Sequence, residues 1–561
     1  MLASLFTKLL LTAGCYYFLR LIFNRVILKS PFDDLPGPPS NSWLLGNIPQ
    51  LFQPKGWAFH DEILRNYGRA IKMRGALGER LFLTFDPRAL YHILVKARCL
   101  VHKVVLETDP HLISRLGSIN ALFFGEGLLS TFGQQHKKQR KILNPVFSIN
   151  HMRDMIPVFH EVTGRLQMVL RKKVENEPQE IDLLHWITRT AVELIGRSGM
   201  DYSFDPLVDD TDQHPYSRSV KKLAVLVGGP AGFLAGQYIL PFAEKFNCPR
   251  IKRFIVEQIP LKPVQDLIQV TDIIHQTSLE IIKTKQEAMT SLYPEIVAEM
   301  ANKKDIISIL MRANAQLSEQ DRMSDAEVIG QVSTLVFAAM DTTSSALSRS
   351  LYLLATHPGV QERLRTEIKE AQIDGQLSYD QLVSLPYMDA VCRETLRLYP
   401  PIPLAPLRTL GRAQKDMILP LSKPIRDANG RELAEIFIPK GTDIVVSIVG
   451  SNCNPELWGA DAHEWKPDRW LDSLPKTLEE AHMPGIYSHL MTFLGGARAC
   501  IGFKFAQLEM KVVLSVLLAS FKFSPSEKEI VWPMSGIVGP AIEGPDGAVH
   551  QKLPLIMSRL H

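Results

Sequence analysis

The cysteine loop at residues 493–502 constrains the fold of this chain more than any other stretch. Gly495, Gly496 and Gly502 flank Cys500, and an apolar helical pattern follows directly. Glycines allow a tight backbone path close to a flat ligand. A helix N-terminus favours a cysteine thiolate, and backbone N–H groups around the sulfur can tune a bound metal. The loop therefore predicts a metal-ligating thiolate at Cys500, although a lone cysteine is more often an inert buried residue.

Helical periodicity dominates the rest of the chain, and strand signals are few. Ser324 and Glu327 form a capping-box pattern that predicts the start of a long apolar helix reaching about His357. Other helices are predicted at Gly56–Tyr67, Pro87–Val95, Phe132–Leu143, Met152–Lys172, Leu183–Met200, Pro263–Thr290, Gly359–Gln372, Met388–Leu398 and Phe503–Phe521. Strands are predicted at Ala70–Met73, Leu81–Thr84, Leu223–Val227, Ile436–Ile438, Ile444–Ile448 and around Ile418. The pattern indicates a mainly α body over residues 51–561, with a small β portion and no internal repeat.

The N-terminal 30 residues predict a membrane anchor. Leu5–Leu28 has 24 mostly apolar residues, enough to span about 30 Å of hydrocarbon, although Arg20 interrupts it. A signal peptide or an interfacial helix is the alternative. Basic residues after the apolar stretch place the large C-terminal part in the cytosol. The proline-rich run Leu35–Pro39 predicts a stiff extended hinge over residues 31–50.

Composition excludes two function classes. The 63 Lys and Arg against 59 Asp and Glu leave a net charge of +4, too small an excess for a dedicated nucleic-acid binder. Six cysteines without a CxxC pair predict neither a disulfide framework nor a zinc module. The glycine-rich run at 228–232 fails the dinucleotide-binding pattern because Pro230 occupies the second glycine position.

The cysteine loop resembles the signature of the cytochrome P450 family. The pattern F-x-x-G-x-R-x-C-x-G is matched by Phe493, Gly496, Arg498, Cys500 and Gly502. The resemblance implies the mainly α cytochrome P450 fold and a haem b cofactor. It implies that Cys500 is the axial thiolate of the haem iron, that Arg498 binds a haem propionate, and that Phe493 belongs to the cofactor site.

Glu394 and Arg397 share one helix face at i, i+3, a spacing that usually gives a solvated ion pair. The family has an E-x-x-R motif at this point and a later P-E-R element, which Trp465–Trp470 resembles with Asp468 in place of the usual Glu. The resemblance implies that Glu394, Arg397 and Arg469 form a buried structural triad.

Asp341 and Thr342 lie within the long apolar helix, where a carboxylate must be hydrated, paired or functional. The alternative is a satisfied packing feature. The segment Ala338–Thr343 resembles the family pattern A/G-G-x-D/E-T-T, with Ala339 where glycine is usual. The resemblance implies that Asp341 and Thr342 relay protons for dioxygen activation.

His136 and Arg140 stand at i, i+4 on a basic helix, which alone indicates a solvated face. The family has W-x-x-x-R here, so the resemblance implies that His136, Arg140 and the later Arg408 hold haem propionates. The lysines around His136 and Lys504 are interpreted as a basic patch for an acidic redox partner; those beside His136 are Lys137, Lys138 and Lys141.

The resemblance as a whole implies a fungal microsomal haem-thiolate monooxygenase at the endoplasmic reticulum membrane. Electrons are expected from an NADPH–cytochrome P450 reductase, with cytochrome b5 as a further donor, because the chain has no recognisable flavin or nicotinamide module. The substrate is expected to be lipophilic, with a fungal secondary metabolite such as a terpenoid as the leading hypothesis by analogy. The alternatives are a haem-thiolate isomerase or dehydratase, a xenobiotic or fatty-acid hydroxylase, and a non-catalytic haem binder.

Overall fold

The computed structural model describes residues 30–96, 120–209, 214–228, 253–254, 256–291, 293–372, 375–406, 416–545 and 547–560. The predicted anchor at residues 1–29, Arg408 and the glycine-rich run at 229–232 lie outside these residues. Within the described part of the chain, no helix combines the length and apolarity that crossing a membrane requires.

Eighteen α-helices within the described residues make up most of the molecule. The first nine are α1 (Ile48–Phe52), α2 (Trp57–Asn66), α3 (Pro87–Leu94), α4 (Gly133–Leu143), α5 (Ile149–Lys173), α6 (Leu183–Met200), α7 (Pro215–Gly228), α8 (Lys262–Met289) and α9 (Pro294–Asn302). The others are α10 (Ile306–Ala315), α11 (Asp325–Thr356), α12 (Pro358–Ala371), α13 (Tyr379–Ser384), α14 (Pro386–Leu398), α15 (Ile448–Asn452), α16 (Pro455–Trp458), α17 (Lys476–Glu480) and α18 (Phe503–Ser520).

The strands form small sheets at the margin of the helical body. They are β1 (Ala70–Arg74), β2 (Arg80–Thr84), β3 (Gln179–Asp182), β4 (Leu404–Pro406), β5 (Met417–Arg426), β6 (Glu432–Ile438), β7 (Asp443–Ser447), β8 (Phe521–Pro525), β9 (Ile542–Glu543), β10 (Val549–His550) and β11 (Pro554–Arg559). The largest sheet has the order β1-β2-β7-β4, with β2 and β7 parallel. A second sheet has the order β3-β11-β8, and β5-β6 and β9-β10 are two-stranded.

The long helix α11 is the axis of the core. Its predicted capping box is present: the Ser324 hydroxyl accepts from the Glu327 N–H, and the Glu327 carboxylate accepts from the Ser324 N–H. Most of its side chains are buried, because α6, α8 and α18 pack along it. Since α18 begins directly after the cysteine loop, this packing joins the two motif-bearing parts of the chain through one core.

Part of the predicted hinge packs on the body. Pro31–Asp34 forms a 3₁₀ turn, and Phe32 and Leu35 are fully buried. The Lys72 N–H donates to the Pro36 carbonyl at 2.9 Å, so the segment follows β1. The conformational restriction of proline predicted the extended backbone. It does not predict that the side chains of Phe32 and Leu35 are buried against the body.

The prediction of a strand at Leu223–Val227 is wrong, because these residues belong to α7. The β-branched residues in this stretch favour a strand by local preference, but Tyr216, Val220 and Leu223 are buried at helical spacing. Tertiary packing therefore decides the helical state here.

Candidate active site

The cysteine loop is fixed by its own backbone and by its neighbours. The Cys500 N–H donates to the Phe493 carbonyl at 2.9 Å, which closes the loop. Gly496 has φ +69°, and a Cβ there would lie 2.0 Å from the carbonyl oxygen of Leu94 at the end of α3. The site thus requires glycine at 496 for conformation and for the close approach of two backbones.

Gly502 requires a different explanation. Its φ is −88°, a value that any residue adopts, and a Cβ there would meet no protein atom within 4 Å. Backbone conformation is therefore not the reason for glycine here. A side chain at this position would project into open space, two residues after the exposed Cys500.

Cys500 differs from the other cysteines of the described residues, because it is exposed whereas Cys392 and Cys453 are buried. Burial raises the pKa of both buried thiols to about 12. Loss of hydration also raises the pKa of the Cys500 thiol, but the Gly502 N–H and the positive charge of Arg140 act in the opposite direction. Cys500 thus has the two groups that stabilise a thiolate beside open space.

Arg140 and Arg498 lie together next to this thiol. Arg140 Nη1 donates to the Ala499 carbonyl at 2.5 Å, and Arg498 Nη2 donates to the Thr131 carbonyl at 2.6 Å. No carboxylate of the described residues lies within 4 Å of either guanidinium. Burial, with the nearby charge of Arg140, lowers the pKa of Arg498 to about 10. Two adjacent guanidinium groups that have no carboxylate partner among the described residues form a binding site for a ligand with two negative charges.

The other residues predicted for the cofactor site are distributed around this pair. His136 is buried on α4, one turn before Arg140. The Phe493 ring is partly buried and makes an edge contact with Tyr487 at 5.6 Å between ring centres. The structure thus brings Arg140, Arg498 and Cys500 together, with His136 on the Arg140 helix and Phe493 in the loop itself.

Asp341 and Thr342 lie at the middle of α11, as expected. Both are partly exposed and continue a solvent-accessible stretch that begins at Phe337 and includes the exposed Ala338. The Thr342 hydroxyl donates to the Ala338 carbonyl at 2.7 Å, four residues earlier. Burial raises the pKa of Asp341, while the positive charge of Lys221 lowers it. The pair therefore combines a carboxyl whose pKa is raised with a hydroxyl that can leave the Ala338 carbonyl and donate to another acceptor.

Lys221 is a charged group of this site that the sequence patterns did not reveal. It is partly buried on α7, and no carboxylate of the described chain lies within 4 Å, whereas Lys222 pairs with Asp266 at 2.9 Å. Burial lowers the pKa of Lys221, and Asp341 opposes this shift. Leu223–Val227 was predicted as a strand, so no helix face could be assigned to Lys221. The i, i+3 spacing of the apolar residues Val220 and Leu223 is the sequence signal that would have indicated a helix here.

Glu394, Arg397 and Arg469 form a buried hydrogen-bonded triad. Arg397 binds both carboxylate oxygens of Glu394 at 2.8 Å, and Arg469 Nε lies 3.3 Å from one of them. Trp470 Nε1 adds a donor to Glu394 at 2.9 Å. Arg397 also donates to the carbonyls of three residues of the following segments, which are Asn452, Ala462 and Glu464. The triad thus ties α14 to the chain that leads into the cysteine loop.

The comparisons with known proteins agree with this fold and site. The family described as Cytochrome P450 matches residues 36–539. Cytochrome P450 monooxygenase 91 of Postia placenta is 47% identical over 539 residues, covering 95% of this chain and 96% of the relative. A ganoderic acid synthetase of Ganoderma lucidum is 40% identical over 537 residues and covers 95% of each chain. A monooxygenase of Hericium erinaceus is 36% identical and covers 92% of each chain.

The chain therefore belongs to the cytochrome P450 family and is a cytochrome P450 monooxygenase with relatives in fungi. The predicted family and the predicted mainly α fold are both confirmed. The family implies a haem cofactor, a redox partner and a lipophilic substrate. The residues fit a haem: Cys500 is exposed, the Cβ position of Gly502 two residues later is open, and two guanidinium groups with no carboxylate partner among the described residues match a pair of propionates.

Proposed function

We propose that this protein inserts one oxygen atom of O₂ into a lipophilic small molecule and reduces the other atom to water. NADPH supplies the two electrons through a separate reductase, and two protons are consumed with them. The observation that carries this proposal is the cluster of Cys500, Arg140 and Arg498, which offers one ligand a cysteine sulfur and two cations that have no carboxylate partner among the described residues.

A haem b held in the proposed site would supply the chemistry of dioxygen reduction. Cys500 would hold its iron through a sulfur that accepts from the Gly502 N–H and lies near the charge of Arg140. Arg140, Arg498 and His136 bind the propionates, with Arg408 as a further propionate ligand by resemblance. Phe493 packs beside the cysteine loop, and the triad of Glu394, Arg397 and Arg469 fixes the scaffold behind it.

Asp341 and Thr342 are proposed to deliver protons on the distal side. The Thr342 hydroxyl bonds the Ala338 carbonyl within its own helix, so it can release that acceptor without breaking a tertiary contact. Burial raises the pKa of Asp341, so the carboxyl keeps its proton to a higher pH than a solvated aspartate does. Both groups would then hold and pass protons within the substrate side of the site.

The axial role of Cys500 is tested by replacing cysteines one at a time. Cys500→Ala is expected to abolish the thiolate type of carbon-monoxide spectrum. Cys392→Ala and Cys453→Ala remove buried thiols and are matched controls that retain the spectrum. A normal spectrum in Cys500→Ala would refute the assignment.

The class of reaction is tested by consumption measurements with the reductase present. A monooxygenase uses NADPH and O₂ in proportion to product. A haem-thiolate isomerase or dehydratase would form product without consuming either. Product formation in the absence of NADPH and O₂ would therefore replace the proposed function by this alternative.

An NADPH–cytochrome P450 reductase is the proposed electron donor, and cytochrome b5 is a further donor to be tested. Lys137 and Lys141 are exposed on α4 and suit an acidic partner. Lys138 does not belong to this surface, because its Nζ donates to the Arg322 carbonyl at 2.8 Å and lies 3.4 Å from Glu327. Lys137→Glu with Lys141→Glu should slow reductase-driven reduction and leave chemical reduction by dithionite unchanged. Equal reduction by the reductase would reject this surface.

The proposed location is the endoplasmic reticulum membrane, with a single N-terminal anchor and a cytosolic catalytic domain. The apolar sequence Leu5–Leu28 supports this proposal. Full-length protein should remain in the membrane fraction after alkaline carbonate extraction, whereas protein lacking residues 1–29 should be released. Carbonate release of the full-length protein would indicate interfacial binding in place of an anchor.

The proposed substrate is a fungal secondary metabolite, with terpenoids first in the order of testing. The similarity to a ganoderic acid synthetase supports a biosynthetic role. A panel of terpenoids, fatty acids and aromatic xenobiotics should be titrated against the haem absorption spectrum. Terpenoids are expected to bind most tightly; preference for fatty acids or xenobiotics would assign the protein to a hydroxylase of those classes.

A further inference from the structure

Arg349 is a buried cation whose guanidinium group contacts two aromatic rings, where a buried arginine usually contacts a carboxylate. Its side chain is 9% exposed, and its guanidinium carbon lies 3.4 Å from the ring centre of Trp532 and 4.1 Å from that of Tyr399. Its Nε has no hydrogen-bond partner, and no carboxylate of the described residues lies within 4 Å. Burial lowers the pKa of Arg349 to about 9. The ring faces thus provide the attraction that a carboxylate usually provides.

Trp532 begins a loop that we name the C-terminal hairpin loop, residues 532–540. Val531 and Ala541 close it, because each N–H donates to the other carbonyl at 2.8 Å. The Ser345 hydroxyl donates to the Val538 carbonyl, and the Val538 N–H donates to the Pro401 carbonyl at 2.8 Å. The loop is therefore attached to α11 at two points, through Arg349 and through Ser345.

Both attachment points lie on the same stripe of α11 as the proposed proton relay. Ser345 follows Asp341 and Thr342 by four and three residues, and Arg349 follows them by eight and seven. Residues at these spacings share one face of a helix. The C-terminal hairpin loop therefore begins its contact with α11 within one helical turn of Thr342. Its Ile537 side chain is partly exposed, whereas the Val538 side chain packs with Leu404 and Val445 of the β1-β2-β7-β4 sheet and anchors the loop.

We propose that Arg349 is a positioning residue that determines substrate selectivity. By stacking between Tyr399 and Trp532, it holds the C-terminal hairpin loop against α11 and the end of α14. The loop then presents a fixed apolar wall beside Asp341 and Thr342. A rigid apolar wall selects among lipophilic substrates by shape, because a mismatch cannot be relieved by movement of the loop. This inference rests on the proposed monooxygenase function.

The test compares Arg349→Met with a matched control, Arg363→Met. Arg363 also lies over a ring, 3.9 Å from the centre of Tyr387, but it is an exposed residue of α12 that pairs with Asp468. In haem-loaded protein without substrate, Arg349→Met should accelerate amide hydrogen exchange in residues 532–540 about tenfold or more. Arg363→Met should leave exchange in this loop unchanged.

Selectivity is measured on the same variants with the substrate panel. Arg349→Met should reduce the differences in spectral dissociation constant between panel members, and raise KM for the preferred substrate with little change in kcat. Arg349→Lys retains the charge and should restore part of the selectivity. Wild-type exchange and wild-type relative affinities in Arg349→Met would overturn the inference.

A second variant covers the case in which Arg349→Met does not retain haem. Tyr399→Leu removes the ring whose centre lies 4.1 Å from the Arg349 guanidinium carbon and should give faster loop exchange and weaker selectivity in the same assays. Unchanged values there would overturn the inference equally. If no substrate is oxygenated by the wild-type protein, the proposed function fails, whereas loop exchange and spectral selectivity still decide the role of Arg349.

Discussion

Arg140 Nη1 donates a 2.5 Å hydrogen bond to the carbonyl oxygen of Ala499, the residue before Cys500. One guanidinium thus supports the cysteine loop while its charge remains available to an anionic group of the cofactor. Arg140→Gln is expected to accelerate haem loss about tenfold or more, because a charged hydrogen bond contributes about 1.5–3 kcal/mol. Transfer of haem to an apoglobin measures the rate. Lys141→Gln, at an exposed neighbouring position, is the control, and equal rates in both variants would contradict the prediction.

Gly496 and Gly502 of the cysteine loop should respond differently to replacement by alanine. Gly496→Ala places a Cβ 2.0 Å from the Leu94 carbonyl at a positive φ, so the loop must deform and the apoprotein should lose stability. Gly502→Ala meets no protein atom, so the apoprotein should keep wild-type stability and lose only haem affinity. Thermal unfolding of apoprotein and haem titration separate the two effects. Destabilised Gly502→Ala apoprotein would show that the open space is not a ligand site.

The buried triad should be far more sensitive than an exposed ion pair. Glu394→Ala leaves the Arg397 guanidinium buried without its acid, whereas Arg469 keeps Asp461 at 2.8 Å; the loss should cost about 3–5 kcal/mol. Glu161→Ala breaks the surface pair with Arg165 at 2.5 Å and should cost at most about 1 kcal/mol. Urea unfolding of the haem-loaded variants measures both free energies. Similar losses would mean that the triad has no special structural role.

Much of the fold and part of the site follow from local sequence rules, and the reasons differ between elements. The capping box at Ser324 and the helix at Leu183–Met200 were predicted at their observed positions, because capping and apolar periodicity are local signals. The strand prediction at Leu223–Val227 failed because burial of the α7 face outweighed local β preference. Arg349 illustrates what sequence cannot supply: its two ring partners are 50 and 183 residues distant, and no motif relates them.

The pH dependence of stability should reveal the cost of burying Asp341. Burial raises the pKa of this carboxyl above the usual value of about 3.9, and Lys221 only partly offsets the shift. The native state therefore binds the proton more tightly than the unfolded state does. Stability from this group is present below the unfolded pKa and is lost as pH rises through the folded pKa.

The Asp341→Asn substitution removes the carboxyl and therefore the loss of stability that accompanies its ionisation. The variant should become increasingly more stable than wild type as pH is raised from about 4 towards neutrality, with a plateau above the folded pKa. Asp154→Asn is the control, since Asp154 is an exposed carboxylate paired with Lys304 at 2.7 Å. Thermal unfolding of haem-loaded protein across this pH range measures the difference. An advantage of Asp341→Asn that did not change with pH would show that the carboxyl does not titrate in this window.

The adjacent threonines of α11 provide the sharpest test of proton delivery. Thr342 is partly exposed and, among the described residues, its hydroxyl donates only to the Ala338 carbonyl of its own helix, whereas Thr343 is 3% exposed and faces the core. Thr342→Ala should leave NADPH consumption close to wild type while product falls about tenfold and peroxide rises, because electrons arrive without a controlled proton donor. Thr343→Ala removes an equal hydroxyl and should preserve the ratio of product to NADPH, with a loss confined to stability. If Thr343→Ala uncoupled the reaction as strongly as Thr342→Ala, general disturbance of the helix would explain both, and the relay assigned to Thr342 would be rejected.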